Sequence, residues 1–176
     1  MIGARLAFAA WLAAIILAML FGQRLRPYIE GPARAMLGWV LGMIWAWFLA
    51  MGARFWFGLP QPRRRRSGAW LLAIFVGLFL LAWVQPLISE RLHVVVYGGL
   101  GLLAYRMFRA RPAGRARWRP ALIWTSAVAV VDELAQALHP ARVGDPLDAL
   151  TNAAAAGLLI AACALLDPDE TSSGQG

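Results

Sequence analysis

The chain has 176 residues, of which 61% are hydrophobic and only 15% are charged, and this is more apolar surface than one soluble domain can bury. Its 17 basic residues, all of them arginine, exceed its 9 acidic residues and give a net charge of +8, which excludes an acidic disordered chain. The composition therefore predicts a membrane protein, and the lone Cys163 excludes an internal disulfide framework and a cysteine-based zinc site.

Charged residues divide the chain into six apolar stretches, most of which approach the roughly 20 residues that an α-helix needs to cross a bilayer. The fourth is short and contains His93, and the fifth is interrupted by Asp132 and Glu133. The first resembles a signal peptide but has no small-x-small cleavage site, so we expect it to remain as a span. We predict an all-α polytopic membrane protein of about six transmembrane helices, at residues 6–23, 35–53, 67–89, 92–105, 121–138 and 149–166, followed by a disordered polar tail.

Arginines are distributed unequally between the two sides of these spans. Twelve lie on the side that holds Arg5, Arg54, residues 63–66 and the arginines of residues 106–119, against five on the other side. The positive-inside rule places the richer side, and with it both termini, in the cytoplasm. We interpret the arginine runs as topology determinants that hold phospholipid headgroups, with nucleic-acid binding as a remote alternative.

Three polar residues interrupt the fifth span. Asp132 and Glu133 lie four and three positions before Gln136, so all three can share one broad face of a helix. This face should turn into the bundle, because one central aspartate costs about 2.5–3.5 kcal/mol in lipid. The residues either form an internal hydrogen-bonded network that fixes helix register or contact a ligand, a proton or a metal ion.

The connection to the sixth span combines capping signals with further polar residues. Asp145 followed by Pro146 is typical of a helix N-cap and a first-turn proline. Asp148 and Asn152 are four positions apart and share a helix face, where a polar pair needs partners. Arg142 precedes the helix N-terminus, where it is either an anion-binding residue or the salt-bridge partner of a nearby acid.

The fourth span begins with a polar stripe. Ser89 is a candidate N-cap, and His93, Tyr97, Gly101 and Tyr105 follow at four-residue steps along one helix face. His93 is either a hydrogen-bonding partner or part of a site, and Tyr97 is either an interfacial anchor or part of the same site. The polar residues of the last three spans lie at a similar depth, so we expect one pocket in the outer third of the membrane. Its predicted members are His93, Tyr97, Asp132, Glu133, Gln136, Arg142, Asp148 and Asn152.

The order and spacing of these residues resemble the signature of the VanZ-like membrane protein family. The signature is carried by Asp132-Glu133-x-x-Gln136, Pro140-x-Arg142, and Asp148-x-x-x-Asn152 followed by Gly157. Arg91-Leu92-His93-x-x-x-Tyr97-x-x-Leu100-Gly101 resembles the family's basic-x-His-x-x-x-Tyr-x-x-Leu-Gly segment. Arg91 stands where lysine is common, and alanines 153–156 replace a small or glycine-containing stretch.

The resemblance implies a multi-pass protein of the bacterial cytoplasmic membrane, from a family named for low-level resistance to the glycopeptide teicoplanin. It divides the chain into two additional N-terminal spans with a basic cytoplasmic loop (1–66), a VanZ-like four-helix core (67–166) and a short polar tail (167–176). The family's motif positions coincide with the eight residues of the predicted pocket. Family membership and a drug phenotype are separate claims, because a fold does not by itself fix a function.

Three functions remain open on this sequence. The first is recognition of an anionic envelope lipid or cell-wall precursor, with Arg142 holding the anion, together with an effect on glycopeptide susceptibility. The second is an intramembrane acid/base hydrolase or transferase, which is disfavoured because no nucleophile or metal motif is present, and the third is a small proton-coupled transporter. We expect membrane lipids as partners and neither a cofactor nor a metal. The spacing Gly38-x-x-x-Gly42 leaves open a helix-mediated oligomer, and also a purely structural role in which the chain assembles with another envelope factor.

Overall fold

A computed structural model of the protein describes residues 2–109, 117–138 and 145–167. These residues are all α-helical apart from short connections. Each predicted span coincides largely with one helix in the expected order. The six helices are α1 (Ile2–Glu30), α2 (Arg34–Phe57), α3 (Gln61–Trp83), α4 (Ile88–Phe108), α5 (Trp118–Ala137) and α6 (Pro146–Leu166).

The third predicted span was placed too far along the chain. α3 begins at Gln61, so the arginine run 63–66 lies in its first turns, and it ends at Trp83 rather than at residue 89. Pro86 explains the early end, because its ring disfavours a helical conformation at Gln85 and it has no N–H for the helix ladder. The uncharged stretch therefore contains the end of one helix, a connection and the start of the next.

One helix-cap prediction is confirmed and another is wrong. Asp145 caps α6, since its Oδ1 accepts the Leu147 backbone N–H at 2.8 Å, and Pro146 opens the helix. Ser89 does not cap α4, because the helix already begins at Ile88 and its N-cap residue is Leu87, two positions before Ser89. The hydroxyl of Ser89 bonds to a carboxylate of α1 instead, as described below.

α4 and α6 run parallel through the centre of the bundle. Gly98 lies opposite Ala155, and a Cβ added at Gly101 would lie against the Ala156 carbonyl oxygen and 2.9 Å from the Ala156 Cα. Such a close approach of two backbones requires small residues on both helices. α5 packs against both of these helices, α3 packs against α6, and α1 packs antiparallel to α4.

The helices alternate in direction, so the bundle has two distinct ends. We call the one where α2, α4 and α6 begin the Asp132 end, and the one where α1, α3 and α5 begin the Asp167 end. The described arginines divide between them as predicted, with Arg5, Arg54, Arg64, Arg106, Arg109, Arg117 and Arg119 at the Asp167 end. Which end faces the cytoplasm stays a prediction.

The outside of the bundle is strongly apolar. Trp39 is 78% exposed and Leu138 is 85% exposed, and Leu41 is the one residue of α2 that is fully buried. Among the described residues, α2 and α6 are long and apolar enough to cross a membrane, while Ile2–Ala18 and Ser67–Trp83 are apolar but shorter. Two of the six predicted spans therefore meet the length and composition expected of a membrane helix.

Candidate functional site

The polar residues of α5 point into the bundle, as predicted. Asp132 is 3% exposed, and Glu133 and Gln136 are also buried, whereas Val131 and Leu134 on the opposite face are exposed. An apolar outer face and a polar inner face are what a helix needs when its acids must avoid lipid. The inner face of α5 is thus the starting point of the site.

Tyr97 of α4 joins α5 through a short hydrogen bond. Its hydroxyl donates to Asp132 Oδ2 at 2.7 Å, and the side chain is only 1% exposed. Tyr97 is therefore a core residue, and its interpretation as an interfacial anchor was wrong. His93 lies one turn earlier on α4, with its ring edge-on to Tyr97 at 6.3 Å between centroids.

Glu133 connects the end of α5 to the beginning of α6. Gln136 Nε2 donates to Glu133 Oε1 at 3.3 Å, and the backbone N–H of Asp145 donates to Glu133 Oε2 at 3.2 Å. A carboxylate bound to a backbone N–H beside a helix N-terminus is electrostatically favourable. The bond holds the first residues of α6 close to the polar face of α5.

α6 contributes Asp148 and Asn152. Asp148 lies within electrostatic range of His93 and Asp132. Asn152 is one turn before Ala156, as Tyr97 is one turn before Gly101, so the close contact of the two helices places Asn152 and Tyr97 at the same level. The structure thus brings together seven of the eight predicted residues: His93, Tyr97, Asp132, Glu133, Gln136, Asp148 and Asn152.

Two polar atoms at the centre of this cluster lack a hydrogen-bond partner. They are Asp132 Oδ1, an acceptor, and Asn152 Nδ2, a donor; in the described part of the chain one other buried side-chain atom, Arg64 Nε, is in the same condition. An unsatisfied buried polar group costs about 1–3 kcal/mol, and such groups are rare in native proteins. The arrangement is therefore poorly explained by stability alone and suits a group that both donates and accepts a hydrogen bond.

The charge around the site is predominantly negative in the described residues. Arg142, the predicted anion-binding residue, lies outside the residues that the structure describes. Arg91 stands at the start of α4, where its Nε donates to the Gln85 carbonyl oxygen at 3.0 Å. No group of three or more His, Cys, Asp or Glu side chains suited to a metal ion occurs in the part of the chain that the structure describes.

A second buried polar cluster, missed by the sequence analysis, surrounds Asp167 at the other end. Its Oδ2 accepts from Arg117 Nη1 at 3.1 Å and from the Tyr105 hydroxyl at 3.1 Å, and Arg109 Nε lies 3.3 Å away. From the sequence alone, Asp167 is predicted to belong to the polar tail, and the arginines are predicted to determine topology. One available signal was Tyr105, which lies two turns after Tyr97 on the same stripe of α4.

A third contact joins α1 to α4. Glu30 accepts from the Ser89 hydroxyl at 2.6 Å and from the backbone N–H groups of Ser89 and Ile88 at 2.8 and 3.1 Å. Partial burial raises the pKa of Glu30, but these hydrogen bonds and the charge of Arg34 outweigh it and lower the pKa below its ordinary value of 4.5. The carboxylate therefore satisfies the free N–H groups at the beginning of α4.

Arg64 has a comparable role in the turn between α2 and α3. Its guanidinium bonds to the carbonyl oxygens of Phe57 and Leu59, and the Trp56 indole N–H donates to the Arg64 carbonyl oxygen at 2.9 Å. Guanidinium groups at a helix C-terminus stabilise its free carbonyls. At least this arginine of the 63–66 run is therefore part of the fold as well as of the charge distribution.

Comparisons with protein-family models, with curated proteins and with solved structures give no match for this chain. The resemblance to VanZ-like proteins therefore depends on the motif residues named above.

Proposed function

We propose that this chain is a VanZ-like integral membrane protein of the bacterial cell envelope, with six membrane-spanning helices and a polar binding site at the Asp132 end. The site would recognise an envelope lipid or a lipid-linked cell-wall precursor. Support for the family comes from the ordered motif residues, seven of which converge around Tyr97 and Asp132. Support for the membrane location comes from the exposed apolar surface of the bundle.

The observation that carries the binding proposal is the unpaired acceptor and donor at Asp132 and Asn152. A ligand hydroxyl or amide could donate to Asp132 Oδ1 and accept from Asn152 Nδ2 at once. Cell-wall precursors carry sugar hydroxyls and peptide amides, so they offer such groups. Binding would repay the free energy that the unpaired atoms cost in the ligand-free protein.

The anionic part of such a ligand requires a separate recognition element. In our proposal Arg142, together with Arg91 at the start of α4, holds the anion, because a guanidinium group can bind phosphate with two hydrogen bonds. The excess of arginines at the opposite end supports an outer-side location for the site under the positive-inside rule. The ligand would therefore be presented with its anion at the surface and its neutral polar group deeper in the bundle.

The test is native mass spectrometry of the full chain extracted gently from bacterial membranes. The wild type should retain a polar lipid or precursor, and Asn152→Leu should lose it. Thr125→Val is the matched control, because Thr125 is equally buried but its hydroxyl bonds within α5 to the Ala121 carbonyl oxygen at 2.9 Å. Equal retention in Asn152→Leu, or no adduct on the wild type, would count against the proposal.

A second readout addresses the phenotype that the family resemblance implies. Cells that express the wild type should differ in teicoplanin susceptibility from cells that express Asn152→Leu at the same membrane abundance. The Thr125→Val control should behave like the wild type. A loss of abundance in Asn152→Leu would instead indicate a structural role for the amide.

Proton-coupled transport is the second candidate, because the cluster contains several titratable side chains in succession. Tyr97 donates to Asp132, and His93 and Asp148 lie within range of the same groups. Buried acids in a helix bundle are characteristic of proton relays. Uptake into proteoliposomes driven by a pH gradient, and its loss in Asp132→Asn, would favour transport over binding.

A further inference from the structure

A groove between α1 and α4 lies at the Asp167 end, on the opposite side of the protein from the proposed binding site. It has a volume of about 620 Å³, within the range of small-molecule sites. α1 contributes the small residues Gly3, Ala4 and Ala7, and α4 contributes larger apolar and basic side chains: Leu103, Arg106, Met107 and Arg109. The recess exists because the residues of α1 have little or no side chain there, and the side chains of α4 form its other wall.

The groove combines apolar residues on both helices with the two arginines of α4. Arg106 is exposed, and no carboxylate forms an ion pair with it in the described residues. Arg109 uses its Nε for Asp167, but its side chain is 57% exposed, so its remaining N–H groups are accessible. Gly3 and Ala4 lie at the beginning of α1, beside these arginines.

We infer that this groove binds an anionic phospholipid, with the phosphate at Arg106 and Arg109 and an acyl chain between α1 and α4. Guanidinium groups favour a phosphate, because they donate charge-assisted hydrogen bonds to its oxygens. Apolar walls favour a lipid over a free anion, because a soluble phosphate would leave them in contact with water. The inference rests on the proposed membrane location but is independent of the ligand at the Asp132 end.

The size of the groove can be changed without disturbing the fold. A Cβ at Gly3 would meet nothing within 4 Å, so Gly3→Leu should fit sterically while occupying part of the groove. Gly22 of the same helix is equally open and provides a matched control, Gly22→Leu, outside the groove. Arg54→Gln is the control for Arg106→Gln, since Arg54 is an exposed arginine in the last turn of α2 at the same end.

The experiment measures lipid binding to the purified full chain by native mass spectrometry, with dimyristoyl phosphatidylglycerol and dimyristoyl phosphatidylcholine as probes. The wild type should prefer phosphatidylglycerol, and Arg106→Gln should reduce that preference about tenfold, as expected for one charge-assisted hydrogen bond. Gly3→Leu should weaken binding of both lipids, because it occupies the place of the acyl chain. Both control variants should bind like the wild type, and excess inorganic phosphate should displace little lipid.

Three results would overturn the inference. They are equal binding of the two lipids to the wild type, an equal loss in Arg54→Gln and Arg106→Gln, and complete displacement of lipid by inorganic phosphate. Thermal unfolding of each variant separates lost binding from lost folding. Asn152→Leu should keep its preference for phosphatidylglycerol, and extraction of the wild type by alkaline carbonate would instead show that the membrane location itself is wrong.

Discussion

The two ends of the bundle bury carboxylates in opposite ways. At the Asp167 end one carboxylate oxygen receives hydrogen bonds from Tyr105 and Arg117 and lies next to Arg109. At the Asp132 end Tyr97 binds one carboxylate oxygen, while the other oxygen and the Asn152 amide nitrogen have no hydrogen-bond partner. A paired cluster is what stability requires, whereas an incompletely paired one is typical of a site that trades stability for function.

The largest effect should come from breaking the paired cluster. Arg117→Met leaves the buried Asp167 carboxylate with the largely exposed Arg109 as its only described cation, so the free energy of unfolding should fall by about 3–5 kcal/mol. The measurement is denaturant unfolding in a fixed detergent. Arg117→Met combined with Asp167→Leu should recover most of the loss, because an apolar pair can replace a buried ion pair at little cost. A loss below about 1 kcal/mol in Arg117→Met would show that the cluster is not structural.

The next effect concerns the helix contact between the two ends. Gly101→Ala places a methyl group against the Ala156 carbonyl oxygen and should push α4 and α6 apart, at a cost of about 1–3 kcal/mol. Gly98→Ala is the control, since the added Cβ would meet the Leu159 side chain at an ordinary 3.5 Å. If both substitutions lower the free energy of unfolding equally, the tight contact at Gly101 does not hold the helices in register.

Asn152→Leu should act in the opposite direction on stability. The two side chains have the same number of heavy atoms and the same branching at Cγ, and the substitution removes a buried donor without a partner, so the free energy of unfolding should rise by about 1–2 kcal/mol. Retention of the ligand should be lost at the same time. A destabilisation comparable to that of Arg117→Met would mean that the Asp132 end is as structural as the Asp167 end, and the comparison would fail.

The sequence predicted the helices and the composition of the first cluster well, for a physical reason. Acids and amides within apolar helices have to face inward. The depths of Asp132, Gln136 and Asn152 in the bundle follow from the rise per residue of a helix. Because the helices alternate in direction, the end of α5 and the beginnings of α4 and α6 lie at the same end of the bundle. What could not be predicted was whether each polar atom has a hydrogen-bond partner, because this depends on shifts of less than about one ångström in side-chain position.

The contacts that the sequence did not reveal join residues far apart in the chain. Asp167 lies 50 positions from Arg117, and Glu30 lies 59 positions from Ser89. Local patterns such as caps indicate that Ser89 is near a helix start. They do not indicate that a carboxylate from another helix accepts hydrogen bonds from the N–H groups there. Pro86 was the one local signal that could have corrected the end of the third span.

The smallest effect sharpens the comparison within the Asp132 end, where both carboxylate oxygens of Glu30 accept hydrogen bonds but only one of those of Asp132 does. Because folding lowers the pKa of Glu30, its contribution is present above its ordinary value of 4.5 and is lost as the pH falls through the lowered value. Glu30→Gln should therefore reduce stability by about 1 kcal/mol near pH 7, since the carboxylate is partly exposed and screened by solvent. The gap between variant and wild type should close in acid, as unfolding curves from about pH 7 down to 3 would show. A constant gap over that interval would mean that Glu30 acts through packing, and that charge does not hold α1 against α4.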